Sequence, residues 1–313
     1  MGRLHTLRVI SREIDQIDAE TAEVRAEFGW NGVSSATFGN DQFSLSESFE
    51  SGDLADVEIL AESSYFPGQR ATFKAHKMIL AVQNEVFRAI FFGEFAKEGC
   101  TLIANLHPEG VRGLLRYFYS GRLEVGTVHH AACTRTAAAR CRIPQLEEEC
   151  HNFMNYRMTP DDVCPFLDYI LAVGEEALAA PATTVIVKKS LKVLSSATFK
   201  SCTEATVKYV LKHAANVSEA SVLQAVYAWG QQRLMRMQQT GGHEGEQVDF
   251  RTVVLPLIPE LRFLALTPKE FVDGPNAWGF LTDAEARAIL SNIVKDGSMP
   301  MPAGLCEIRK ARA

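Results

Sequence analysis

The sequence has no apolar run that approaches the roughly 18–20 residues that a helix needs to cross a bilayer. The N-terminal stretch MGRLHTLRVISREIDQ is too charged to be a secretory signal peptide. Net basic charge is also missing, since the net charge is −6 and the sequence pI is about 5.8. These absences predict a protein that neither enters a membrane nor attracts nucleic acid.

The cysteines contain no C-x-x-C pair, and their number, 7, is odd. Without a secretory signal, we expect free thiols in a reducing compartment, with the cytoplasm as the expected location and the nucleus as an additional one. Five residues invite comparison with a zinc site, but their spacing does not match the compact ligand pairs of structural zinc sites: His129, His130, Cys133, Cys141 and Cys150. We therefore expect no metal and no cofactor.

Catalytic motifs are absent as well. The sequence contains no G-x-S-x-G elbow, no phosphate-binding G-x-x-x-x-G-K-[ST] loop and no H-E-x-x-H zinc motif. The acidic run Glu147-Glu148-Glu149 is typical of a solvated helix face. We predict a non-enzymatic protein.

What is present is enough apolar sequence for two packed domains. The chain has 313 residues, of which 47% are hydrophobic and 22% charged. Within residues 4–28, Leu7, Ile10, Ile14 and Ile17 lie at helical spacing. This predicts an N-terminal helix, either a packing helix or one that binds a partner, before a Gly- and Ser-rich linker that ends at residue 42.

The next part of the chain alternates strands and helices. Residues 57–60 and 71–75 are predicted to pair as strands, and Thr101 begins another. Asn84 is a good cap for a helix whose apolar face includes Phe87. A longer helix follows His107, and Leu123 and Val125 indicate a further short strand.

The order of these segments resembles the BTB/POZ domain. The residues that carry the resemblance are Asp56-Val-x-Ile, Phe73-x-Ala-His76-Lys77-x-Ile-Leu-Ala81, Val86-Phe87 and Leu114-Leu115-x-Tyr-Phe-Tyr-Ser-Gly121. The resemblance implies an α+β fold in which helices cluster around a small sheet.

From Thr159 onward the pattern is purely helical, which predicts an all-α second domain. Leu223-x-x-Val226-Tyr227-x-Trp229 and Pro259-Glu-Leu261-Arg262-Phe263 resemble the BACK domain. The stretch from Leu266 through Gly274-Pro275 to Glu285 is similar to the BTB–BACK–PHR branch. No β-rich segment follows, so the resemblance covers residues 43–295 without the third domain of that branch.

These patterns divide the chain into four parts. They are an N-terminal helix and linker (residues 1–42), a BTB/POZ domain (43–156), an all-α BACK domain (157–272) and a C-terminal extension (273–313). Because the branch carries substrate recognition in the domain that is not seen here, the sequence names no substrate.

The resemblance also implies roles for particular residues. A short helix containing Phe43, Leu45 and Phe49 would pack at a homodimer interface. Asp56 and Lys77 would form a partly buried charge pair, which either fixes the fold or lines a ligand pocket. His76 is expected to be a core histidine with satisfied hydrogen bonds.

BTB adaptors often present an apolar residue, any residue and then Glu to cullin-3, directly after the helix that ends near Phe91. Here Phe95-Ala96-Lys97 aligns with that motif, so Lys97 stands where Glu is expected and Glu98 follows one position late. Phe95 is either the anchor of a cullin contact or an ordinary packing residue.

The resulting prediction is a dimeric adaptor that brings an unknown protein substrate to a cullin-3 ubiquitin ligase. The alternative is a structural or transcriptional scaffold that uses the BTB dimer without binding cullin.

Overall fold

The computed structural model describes residues 45–94, 96, 101–240 and 249–312. The predicted N-terminal helix and its linker therefore lie outside the described residues. The chain divides into two compact units. Unit 1 comprises the described residues up to Gly126 together with His130–Asn152, and unit 2 comprises Thr127–His129 and the residues from Phe153 onward.

The first half of the chain contains all three strands found in the described ranges. Its elements are α1 (Leu45–Ser51), β1 (Val57–Glu62), β2 (Arg70–Ala75), α2 (Lys77–Gln83), α3 (Glu85–Phe92), β3 (Thr101–Ala104), α4 (Pro108–Ser120), α5 (Val128–Arg140) and α6 (Pro144–Arg157).

The second half is helical wherever it has regular structure, apart from one isolated β-bridge between Val217 and Arg312. Its elements are α7 (Val163–Ala172), a 3-10 turn (Glu176–Leu178), α8 (Ala180–Ser195), α9 (Ala197–Ser201), α10 (Glu204–His213), α11 (Glu219–Thr240), α12 (Phe250–Val254), two 3-10 turns (Leu255–Glu260 and Phe263–Ala265), α13 (Pro268–Asp273) and α14 (Asp283–Val294). The predicted α+β fold with a helical second half is confirmed.

The sheet has the order β2-β1-β3. β1 pairs antiparallel with β2, with Ile59 opposite Phe73, and parallel with β3. The alternation in β1 puts Val57, Ile59 and Ala61 into the core. The predicted pairing of residues 57–60 with 71–75 is therefore confirmed.

Asn84 separates α2 from α3, as predicted. Its Oδ1 accepts the N–H groups of Val86 and Phe87 at 2.9 and 3.2 Å. Its side-chain amide donates to the Cys141 carbonyl at 2.8 Å. One side chain therefore caps α3 and attaches it to the residue after α5.

Two glycines allow α4 to lie close to α5. A Cβ at Gly110 would overlap the Cys133 carbonyl oxygen, and a Cβ at Gly113 would overlap the Thr134 side chain. Each glycine destabilises a helix by about 1 kcal/mol relative to Ala. Here the absence of a side chain at both positions permits the close packing of α4 against α5. The apolar face of α4, with Leu114, Leu115 and Phe118, fills the core of unit 1.

The strand expected at Leu123 and Val125 is wrong. This segment has no regular structure, although Leu123 packs partly buried against the core of unit 1. An irregular segment can also bury every second side chain. Two apolar positions are therefore too few to distinguish an irregular segment from a strand.

Trp229, on the long helix α11, is fully buried in unit 2, and its indole N–H donates to the Cys202 carbonyl at 2.9 Å. No helix within the described ranges is long and apolar enough to span a membrane.

A buried ion pair joins the C-terminal end of the described chain to the interior of unit 2. Arg312 and Glu219 have side chains that are 3% and 1% exposed, and Arg312 Nε lies 3.0 Å from Glu219 Oε2. Arg312 also donates to the carbonyls of Leu211 and Glu260. Glu219 in turn accepts the N–H of Arg262 at 2.9 Å. Each charge therefore has several polar partners, as a buried pair requires.

Candidate interaction surfaces of unit 1

Helix α1 contains two of the three residues predicted to form a dimer interface. Leu45 is 44% exposed, whereas Phe49 is buried in unit 1, where its ring lies 5.2 Å from that of Tyr119. Phe43 lies outside the described residues. In a single chain, Phe49 therefore packs α1 against the core of unit 1, and Leu45 faces solvent.

Leu54 is the most exposed of the large apolar residues in the described chain, at 90%. Its φ of 60° lies in the left-handed region, which is unfavourable for a bulky side chain. The backbone thus holds a leucine side chain in solvent at a conformational cost, a combination that is typical of functional surfaces.

Helix α2 presents two further apolar side chains. Met78 and Val82 are 73% and 64% exposed, and their i, i+4 spacing places them on one face of the helix. Leu80 lies on the opposite side of the helix, and both Leu80 and Ala81 are buried.

Leu54 lies close to the start of α2 because His76 Nε2 contacts the carbonyl oxygen of Asp53 at 2.7 Å. We call Leu54, Met78 and Val82 the apolar face of unit 1. Sequence reasoning missed it, although Met78 and Val82 could have been found as an apolar pair off the buried stripe of α2.

His76 has the satisfied hydrogen bonds that were predicted for it, but it is half-buried rather than a core residue. Its Nδ1 lies 2.7 Å from the Tyr119 hydroxyl, and its backbone N–H donates to the same hydroxyl at 2.9 Å. The tautomer that fits every contact carries the proton on Nε2, donates to Asp53 and accepts from Tyr119. Burial raises the pKa of Tyr119 to about 12, so this hydroxyl remains a donor at physiological pH.

Asp56 and Lys77 meet through the backbone of Lys77. The Lys77 N–H donates to Asp56 Oδ1 at 2.7 Å, so the carboxylate lies at the N-terminus of α2, where negative charge is stabilising. Asp56 is exposed and Lys77 half-buried in the single chain. The pairing of their charged groups stays a prediction.

The end of α3 carries two phenylalanines with different surroundings. Phe91 is half-buried and stacks on Phe87 with ring centroids 5.8 Å apart, whereas Phe92 is 62% exposed. Of the other predicted cullin contacts, Phe95, Lys97 and Glu98 lie outside the described residues. The structure therefore describes only the beginning of the predicted cullin segment, in which helix α3 ends at the exposed ring of Phe92.

A cavity of about 230 Å³ lies at the side of α4. Its lining includes Glu109, Arg112, Arg116 and His130. Glu109 lies 3.7 Å from Arg112 and 3.8 Å from His130, while Arg116 pairs with Glu50 outside the cavity at 2.8 Å. The charged groups of Glu109, Arg112 and Arg116 therefore already have partners within unit 1.

Two of the cysteines considered for zinc are core residues. Cys141 and Cys150 belong to the apolar core of unit 1, and burial raises the pKa of both thiols to about 12. Buried thiols of this kind are poor nucleophiles and poor metal ligands, because both roles need the thiolate.

Residues 45–158 match the family model described as "BTB/POZ domain". Similar proteins include BTB/POZ domain-containing protein 6-A of Danio rerio, which is 27% identical over 243 residues, or 77% of this chain and 44% of the relative. BTB/POZ domain-containing protein 6 of Homo sapiens is 28% identical over 240 residues, or 75% of this chain and 43% of the relative. BTB/POZ domain-containing protein 3 of Homo sapiens is 24% identical over 243 residues, or 77% of this chain and 45% of the relative. The chain thus spans less than half the length of these relatives.

Proposed function

Because residues 45–158 of this chain form a BTB/POZ domain, a module of protein-interaction adaptors, we propose that the protein is a non-enzymatic, dimeric adaptor for a cullin-3 ubiquitin ligase. In this role it binds cullin-3 through unit 1 and brings a protein substrate close to the ligase. Its contribution is proximity, because a dimer presents two sites and raises their effective concentration.

The observation that carries the dimer is the apolar face of unit 1. Leu54, Met78 and Val82 are all more than half exposed, and fully burying an aliphatic side chain of this size is worth about 1.5–3 kcal/mol. A twofold interface uses the same surface patch on both subunits. A second copy would cover this face in the proposed dimer, and the predicted interface residues Leu45 and Phe43 would belong to the same interface.

The cullin contact is proposed for the segment that begins at the end of α3. Phe92 is exposed there, while Phe91 packs against the core and fixes the end of the helix. Phe95 would supply the buried aromatic anchor that interface hot spots favour, and Lys97 and Glu98 would lie beside it. In this arrangement Phe92 is an additional contact, ahead of the motif.

Unit 2 is proposed to be a BACK domain. Its succession of helices supports this, as do the buried Trp229 and Phe263 within the two sequence stretches that resemble that domain. The domain boundaries at residues 42, 156 and 272 stay part of the proposal. The substrate-binding element is left open.

Dimerisation is tested by measuring the mass of the full chain in solution by light scattering at micromolar concentration. We expect a dimer for the native chain and a monomer for the double variant M78D/V82D, because paired aspartates in an apolar interface are strongly unfavourable. The control is Met235→Asp, which introduces one aspartate at an exposed methionine of α11 and is expected to leave the dimer intact.

A native chain that is monomeric would contradict the proposed dimer. A dimer that persists in M78D/V82D would remove the apolar face from the interface. Circular dichroism of each variant confirms that a change of mass does not come from unfolding.

A further inference from the structure

Positive charge in this acidic chain is concentrated in one stretch of unit 2. From Ala180 to Val217 the sequence has six lysines and one acidic residue, Glu204, which gives a local net charge of +5 in a chain whose total is −6. This stretch covers α8, α9 and α10.

Helices α8 and α10 lie side by side within unit 2. Thr183 Oγ1 and Tyr209 Oη are 2.8 Å apart, and the N–H of Ala215 donates to Ser190 Oγ at 2.9 Å. Residue numbers increase in the same direction along both helices between these contacts, so the two helices run parallel. Val187 is one turn beyond Thr183, and His213 is one turn beyond Tyr209.

Exposed apolar side chains of α8 follow the contact residue Thr183, and two aromatic rings of α10 begin at its partner Tyr209. On α8, Val187 and Leu191 are 41% and 57% exposed. On α10, the rings of Tyr209 and His213 stack with centroids 4.3 Å apart and are half-buried. We call these four residues the α8–α10 strip. α8 departs from helical backbone angles at Lys189, yet its two apolar side chains remain exposed on both sides of the bend.

Lysines lie on both margins of the strip. Lys188 and Lys192 directly follow Val187 and Leu191, and Lys212 directly precedes His213. All three lysines are exposed and form no ion pair with any residue in the described part of the chain. By contrast, Lys208 is paired with Glu204 at 2.8 Å.

We propose that the α8–α10 strip and its marginal lysines bind an acidic amphipathic helix of a partner protein. The apolar stripe of such a helix would pack against Val187 and Leu191, which are exposed on either side of the bend at Lys189, as in helix-in-groove recognition. Acidic residues on either side of its apolar stripe then face Lys188, Lys192 and Lys212, which sets the orientation and accelerates association. This surface lies in unit 2 and does not depend on cullin binding.

An acidic protein helix fits this surface better than nucleic acid does. The strip places apolar side chains between the lysines, where a phosphate backbone gains nothing. The negative charge of the rest of the chain also opposes a polyanion that extends beyond the strip.

The test is fluorescence anisotropy of the full chain with a labelled peptide of about 20 residues, which carries leucines at i, i+3, i+4 and i+7 and glutamates on both flanks. The native chain is expected to bind it. The triple variant K188E/K192E/K212E is expected to bind at least about tenfold more weakly, because it reverses the charge on both margins of the strip. The control variant K269E/K295E/K310E makes the same charge change at exposed lysines elsewhere in unit 2 and is expected to bind like the native chain.

A second control uses the same peptide composition in scrambled order, which removes the apolar stripe and is expected to bind weakly. Equal binding of the scrambled peptide, equal loss in the two triple variants, or no binding by the native chain would overturn the proposal. Tighter binding of single-stranded DNA of similar length than of the peptide would assign the surface to nucleic acid instead and would equally overturn it.

Discussion

Arg312 and Glu219 place two opposite charges in the interior of unit 2, 93 positions apart in the sequence. Removal of one partner leaves the other charge buried without compensation. Glu219 also holds the N–H of Arg262, so the pair connects three distant segments of the unit.

We therefore expect Arg312→Ala to lower the free energy of unfolding of unit 2 by about 3–5 kcal/mol. The measurement is urea unfolding followed by tryptophan fluorescence, since Trp229 and Trp278 both belong to unit 2. The control is Arg309→Ala, which removes an ion pair with the largely exposed Asp296 and a hydrogen bond to the Asn292 carbonyl, and which should cost about 1–2 kcal/mol. Equal effects of the two substitutions would contradict the structural role assigned to Arg312.

Single residues differ in how far the sequence predicts them. Asn84 and His76 were predictable, because a cap precedes its helix and a histidine among apolar residues needs hydrogen-bond partners. Arg312 was not, because its partners come from remote segments. Leu54 was not either, because sequence patterns assign apolar residues to the core and carry no information about a left-handed φ.

Helix α14 shows how one side chain serves an element both as cap and as ion-pair partner. Glu285 accepts the N–H of Thr282 at 2.8 Å in a capping box. It also receives two hydrogen bonds of 2.8 Å from Arg251 near the start of α12. The guanidinium contacts hold the pKa of the Glu285 carboxyl at about 2, below its usual value of 4.5.

This lowered pKa gives unit 2 a defined dependence on acid. Between pH 4.5 and about 2 the unfolded state binds more protons at this group, so its stabilising contribution is present above pH 4.5 and is lost as the pH falls. We expect Glu285→Gln to lower the free energy of unfolding by about 1–2 kcal/mol at neutral pH, a modest amount because the ion pair is partly solvated. The variant should also show a smaller loss of stability as the pH falls.

Urea midpoints measured across this pH range test the expectation. The comparison variant is Glu270→Gln, which changes the equivalent capping residue of α13. The pKa of Glu270 is lowered only by its hydrogen bonds with Thr267. If the stability of both variants depended on pH in the same way as that of the native chain, the ion pair of Arg251 with Glu285 would not contribute to the acid dependence.

Elements with a strong local signal were predicted well. β1 and β2 alternate over six residues each, and α4 carries a regular apolar stripe. The expected strand at Leu123 was wrong because two apolar positions leave the conformation open. The helical pattern expected from Thr159 onward begins as a helix only at Val163, since Asp162 accepts the N–H of Thr159 and closes a turn before the helix.

At the scale of the whole molecule, sequence patterns predicted a BTB/POZ domain followed by a helical region, and both are confirmed. This prediction came from the order of the elements, because the numbers of residues that separate Asp56, His76 and Tyr119 in the sequence reflect a fixed topology. Interaction surfaces were less accessible, because exposed residues are not constrained by packing. The apolar face and the α8–α10 strip became recognisable only when the exposure of each side chain was known.

The central claim is that this chain binds cullin-3, and calorimetric titration with the N-terminal domain of cullin-3 tests it most directly. We predict saturable binding near one cullin per chain, and a loss of at least about tenfold in affinity for Phe92→Asp and for Phe95→Asp. The control Tyr65→Asp, at another exposed aromatic residue of unit 1, should bind normally. Absence of binding by the folded native chain would contradict the adaptor role, favour the cullin-independent scaffold and direct attention to Lys97.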